Sequence, residues 1–205
     1  MRRTVLSILS VALLTSAAAA AESLSFEGLL MNVRESLLKT RSQQVQVKDQ
    51  NLARQINSIY YQVNRWPYEV QRTQYYLKDL QRRAQRLDPS KPDAMFRSDL
   101  QRFVRDLQSF TRESQGALQD TQRVSRQVQQ KDPDLVSPTQ SLSNAASDLE
   151  SRLRWLESDA RFARWDFQRA GYTFEGWDIE RACSDSYRAA QDLVREARAL
   201  LAKVR

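Results

Sequence analysis

From residue 25 onward, apolar residues recur at alternating spacings of three and four, the period of helices with one buried stripe. Phe26, Leu30, Val33, Leu37, Val47, Leu52, Ile56, Ile59 and Val63 predict a first helix that opens after Ser25, with polar layers at Thr40, Gln43 and Gln44. A second helix is predicted from Pro67 to about Leu87, with Val70, Leu77, Leu80, Ala84 and Leu87 on its stripe. The rhythm passes through Val63, Trp66 and Val70 in phase, so one helix kinked at Pro67 is a competing expectation. Proline costs a helix interior about 3 kcal/mol and disfavours helical backbone at the residue before it, which favours a turn through Asn64.

A third helix is expected from about Asp93 to Gln130, carrying Phe96, Leu100, Phe103, Leu107, Phe110, Leu118, Val124 and Val128, with Gly116 inside it. A fourth should open at Ser137-Pro138 and bury Leu142, Ala145, Leu149, Leu153, Leu156, Ala160, Ala163 and Phe167. A fifth should follow Gly176, with Ile179, Cys183, Tyr187, Ala190, Val194, Ala197, Leu201 and Val204 on its stripe. Phase is lost between Ala170 and Ile179, which marks a corner at Gly171 to Gly176. No repeat of fixed period stands out. Acid-to-base pairs four residues apart support the helices: Glu35–Lys39, Asp93–Arg97, Asp148–Arg152, Glu150–Arg154 and Glu157–Arg161. The fold class is all-α, an elongated antiparallel bundle of four or five long helices.

The first 21 residues have a different character. Met1-Arg2-Arg3, an apolar run from Val5 to Leu14, and five alanines ending at Ala21 form a secretory signal with cleavage before Glu22. The run is shorter than the ~20 residues a membrane span needs. The expectation is a cleaved peptide over 1–21, a single helical domain over 22–205, and a periplasmic or secreted location.

Composition narrows the chemistry. The 205 residues include no histidine and one cysteine. That excludes histidine-based catalytic triads, imidazole-ligated metals, disulfide frameworks and Cys-rich zinc sites. Lys and Arg number 32 against 25 Asp and Glu, a formal charge of +7, or +5 once Arg2 and Arg3 are removed. In an exported protein such a charge suits an acidic envelope protein, an anionic envelope polymer or lipid headgroups rather than nucleic acid.

Four groups of residues were weighed for chemistry. Asp148, Glu150, Glu157 and Asp159 share one helix, but arginines four residues downstream of three of them read as charge pairs, so no metal, cofactor or catalytic residue is assigned. Cys183 sits on an apolar stripe and reads as buried. Trp155, Phe162, Trp165, Phe167, Tyr172, Phe174 and Trp177 surround the glycine corner and read as packing at a bundle end. The densest mixture of aromatic and basic residues is Tyr60, Tyr61, Trp66, Tyr68, Tyr75 and Tyr76 with Arg65, Arg72, Lys78, Arg82, Arg83 and Arg86. Residues 65–86 carry a net charge of +4, and nine of the twelve stand out: Arg65, Trp66, Tyr68, Arg72, Tyr75, Tyr76, Arg82, Arg83 and Arg86. Tyr, Trp and Arg dominate binding hot spots, so these nine are the candidate partner-binding residues.

The function expected is that of an exported, non-enzymatic binding, scaffold or chaperone-like protein of the bacterial cell envelope. Two alternatives stay open: an enzyme built from carboxylates and tyrosines that acts on an envelope polymer, and a purely structural homo-oligomer.

Overall fold

The computed structural model describes residues 26–91, 93–129 and 131–205; the expected signal peptide lies outside them. Four helices make up almost all of it: α1 (Phe26–Ala84), α2 (Ala94–Gln127), α3 (Pro133–Arg169) and α4 (Thr173–Val204). No strand occurs among the described residues. The protein is an all-α helical bundle. The chain divides into one unit up to Lys48 and a second from Asp49 onward.

In the second unit, neighbouring helices alternate in direction. Trp66 meets Phe110 and Arg83 meets Asp99, so α1 and α2 are antiparallel. Arg164 meets Glu180 and Ser147 meets Arg198, so α3 and α4 are antiparallel. α1 runs parallel to α3, with Gln74 on Asp159 and Gln81 on Asp166. α2 runs parallel to α4, with Arg97 on Glu175 and Thr111 on Ser186. The core of this unit follows the stripe read from sequence, from Leu52, Ile56 and Val63 through Leu100, Leu149 and Leu156 to Val194 and Val204, and adds Leu193, which lies off it.

Two corrections concern proline. Pro67 does not break the chain: it lies buried inside α1. Its neighbours Val63, Trp66 and Val70 are all buried on the core side, and that shared burial outweighs one lost backbone hydrogen bond. At α3 the helix starts at Pro133, not at Ser137-Pro138. Asp132 caps it by accepting from the Asp134 amide, its own amide donates to Val204 O at 3.0 Å, and Leu135 is drawn into the core. Pro133 then occupies the favoured first helical position, and Pro138 sits one turn further in.

The glycine corner is tighter than expected, confined to Ala170–Tyr172. Gly171 has φ of +90°, and the Tyr172 and Gly171 amides donate to Phe167 O and Gln168 O, which closes the end of α3. α4 therefore begins at Thr173 and contains Gly176. A Cβ at Gly176 would lie 3.3 Å from Arg164 Cγ, so this glycine serves close helix approach instead of a turn. Asp93 caps α2 by accepting from the Met95 and Phe96 amides; this role replaces its expected pairing with Arg97, which binds Glu175 at 2.8 Å.

In the first unit, Met31, Val33, Leu37 and Leu38 are exposed, which corrects the expected burial of Val33 and Leu37. Phe26, Leu30 and Val47 lie outside the described side chains.

Candidate binding surface

The nine candidate residues, eight on α1 and Arg86 just past its end at Ala84, divide by the direction they face. Trp66 is core, its ring 5.4 Å from Phe110. Tyr76 is half-buried against Phe103, and burial together with Asp99 raises its phenol pKa. Arg83 donates to Asp99 Oδ2 at 2.8 Å and lies 5.2 Å over the Phe96 ring. The hydrogen bond to Asp99 raises its pKa further. These three belong to the packing of α1 on α2 and leave the candidate site.

The other six, Arg65, Tyr68, Arg72, Tyr75, Arg82 and Arg86, are exposed and fall on one stripe. Helix geometry makes this inevitable. Steps of three and four residues stay within a narrow arc, and this arc lies opposite Val63, Trp66, Val70, Leu77 and Leu80. Tyr61, exposed one step earlier, extends the stripe; it belongs to the aromatic and basic mixture read from sequence but not to the nine candidates. Its signal was present as a short repeat: Tyr61-x-Val63-Asn64-Arg65 recurs as Tyr68-x-Val70-Gln71-Arg72, and more loosely as Tyr75-x-Leu77-Lys78-Asp79. The seven-residue period puts a tyrosine about every 10.5 Å along the axis with an arginine between. Arg65, Arg72, Arg82 and Arg86 have no ion pair among the described residues.

Beside this stripe, α1 and α3 are joined by a polar ladder. Arg152 donates to Gln71 Oε1 at 3.2 Å, Gln74 donates to Asp159 at 2.6 Å, and Gln81 and Gln85 both donate to Asp166. Lys78 pairs with Asp159 at 3.4 Å. A shallow groove here is rimmed by Tyr75 on α1 and Trp155 on α3.

The carboxylates considered for chemistry are held by neighbours. Asp148 pairs with Arg152, and Glu157 with Arg161, while Asp159 serves the ladder. Glu150 forms no pair with Arg154 among the described residues, which leaves that arginine unpaired. No three Asp, Glu or Cys side chains converge on one point among the described residues.

No protein-family model, curated protein or solved structure matches the chain.

The second aromatic group requires a correction. Phe167 and Tyr172 are core, and the Tyr172 hydroxyl donates to Asp93 O at 2.9 Å. Trp155, Phe162, Trp165, Phe174 and Trp177 are instead 54–83 % exposed. Trp155, Phe162 and Trp165 fall off the α3 stripe of Leu149, Leu153, Leu156, Ala160 and Ala163, and Phe174 and Trp177 fall off the α4 stripe of Ile179, Cys183 and Ala190, so each helix turns them outward. Arg164 lies 4.9 Å over Trp165 and 4.1 Å over Trp177, while its guanidinium donates to Glu180 at 2.6 Å. Both indoles thus pack against the one Arg164 guanidinium.

Cys183 is fully buried, and desolvation pushes its thiol pKa far up. It has no role in this surface.

Proposed function

We propose that this is an exported, non-enzymatic binding protein of the bacterial cell envelope that recognises an acidic protein surface or an anionic envelope component. The observation that carries the reading is the outward Tyr–Arg stripe of α1. Its four arginines have no ion pair among the described residues, and its three tyrosines stay exposed although Tyr61 lies 5.3 Å from Tyr60 and Tyr75 accepts a hydrogen bond from Gln71 at 3.4 Å. Arginine engages carboxylate and phosphate through paired hydrogen bonds, and tyrosine supplies rigid contact area with a polar tip.

The test replaces Arg65, Arg72, Arg82 and Arg86 together with glutamine, which preserves helix propensity. Affinity for dextran sulfate, used as a generic polyanion, should fall steeply at low salt. The gap to wild type should close as salt screens the interaction. Equal binding by both proteins would remove the stripe from the function. Export is tested by N-terminal sequencing of protein from its native host, which should begin at Glu22.

A second reading, homo-oligomerisation through the start of α1, is favoured by the exposed Met31, Val33, Leu37 and Leu38. Replacing Leu37 and Leu38 with glutamine should then lower the mass found by sedimentation.

A further inference from the structure

We propose that the outer face of α3 docks onto the surface of an anionic lipid bilayer. This rests on the envelope-binding reading above and names the anionic component.

The argument begins with how α3 sorts its side chains. Between Ser151 and Arg169 the helix has three carboxylates, and each is turned sideways into protein contacts: Glu157 to Arg161, Asp159 to Gln74 and Lys78, Asp166 to Gln81 and Gln85. Every exposed residue in the same span is Ser151, Arg154, Trp155, Arg161, Phe162, Trp165, Gln168 or Arg169. The outward face therefore carries three arginines and three large aromatics and no acid over roughly 27 Å of helix.

On α1 the Tyr–Arg stripe is accompanied by the exposed acids Glu69 and Asp79, and on α4 the exposed arginines alternate with Asp178, Asp185 and Asp192. On α2 the exposed face mixes both signs of charge, and Met95 is its only large exposed apolar residue. Large aromatics exposed together on one helix face mark an interaction site.

The chemistry selects the occupant. Tryptophan and phenylalanine place an apolar body at the acyl boundary, and the indole N–H can reach the headgroups. Arginine meets lipid phosphate, and each basic residue near an anionic surface contributes about 1 kcal/mol. An acidic protein partner would match the arginines but leave Trp155 and Phe162 to find their own pockets. A bilayer takes both without a shaped counterpart. The Arg164 stack holds Trp165 and Trp177 in place before contact, so little ordering entropy opposes docking. No described helix is long and apolar enough to cross a membrane, so the mode is attachment in the interfacial plane.

The experiment uses the full protein with vesicles of phosphatidylethanolamine and phosphatidylglycerol, vesicles of phosphatidylcholine alone, and dextran sulfate. Binding to the anionic vesicles is expected, with a blue shift of tryptophan emission and quenching by bromine-labelled acyl chains. The variant Trp155→Ser, Phe162→Ser and Trp165→Ser changes exposed positions only, and an unaltered thermal melt verifies its fold. It should lose vesicle affinity about tenfold or more yet bind dextran sulfate as wild type does. A second variant, Arg154→Gln with Arg169→Gln, should reduce the preference for anionic over neutral vesicles. Vesicle binding without quenching, or binding undiminished in the serine variant, would overturn the proposal. So would binding to dextran sulfate but not to vesicles, which leaves the envelope-binding reading standing. Binding to neither would remove both.

Discussion

Trp66 stands edge-on to Phe110, ring centroids 5.4 Å apart and planes at 73°, one residue before Pro67, where the sequence predicts that a second helix starts. The contact fastens α1 to α2 where α1 has lost a backbone hydrogen bond. Continuity of α1 is thus a tertiary effect, since the local propensity at Pro67 opposes it.

Trp66→Ala should therefore destabilise more than an average core truncation. The expected loss is about 3–5 kcal/mol, the range for deleting a large buried aromatic, measured by urea unfolding. Trp155→Ala is the matched control: the same residue type, two-thirds exposed, should change stability by under about 0.5 kcal/mol.

Arg82 and Arg83 are neighbours with opposite roles. Arg83→Gln removes the Asp99 bond and the stack over Phe96 and should cost on the order of 1 kcal/mol, discounted because the pair is partly exposed. Arg82→Gln should leave the melting temperature unchanged and weaken only polyanion binding.

Cys183 gives a pH dependence. Folded, its buried thiol has a raised pKa; unfolded, it ionises near its ordinary value, about 8.5. Above that pH the unfolded state holds fewer protons, so folding stability falls as pH rises, by at most about 1.4 kcal/mol per unit from this group. Below pH 8 the thiol adds no slope. Denaturant titrations from pH 8 to 10 should show a shallower decline in Cys183→Ala. Ellman's reagent should label the wild-type thiol only on unfolding.

Two fully buried hydroxyls, Ser114 Oγ and Thr139 Oγ1, have no hydrogen-bond partner among the described residues. An unsatisfied buried hydroxyl is destabilising, so Thr139→Val and Ser114→Ala should each raise stability, by roughly 1 kcal/mol. A loss of that size in thermal unfolding would show that the hydroxyls are satisfied in solution.

The sequence alone determined the class of fold and the greater part of the core. Alternating steps of three and four are a local property of a helix, and Leu149, Leu153 and Leu156 or Ile179, Cys183 and Ala190 can be assigned inward without knowing their partners. The outward stripe of Arg65, Tyr68, Arg72 and Tyr75 follows from the same geometry. What required the tertiary structure was every decision made between helices. Pro67 continues α1 because Trp66 finds Phe110; Asp93 caps α2 while Arg97 reaches Glu175; Arg83 is drawn to Asp99 while Arg82 is not. The acid-free face of α3 was hidden for the same reason. Asp159 and Asp166 look like surface charges along the chain, and only the glutamines of α1 turn them aside, leaving arginine and tryptophan outermost. Periodicity reports which side of a helix is buried, whereas the partner of each flanking residue depends on a neighbouring helix distant in sequence.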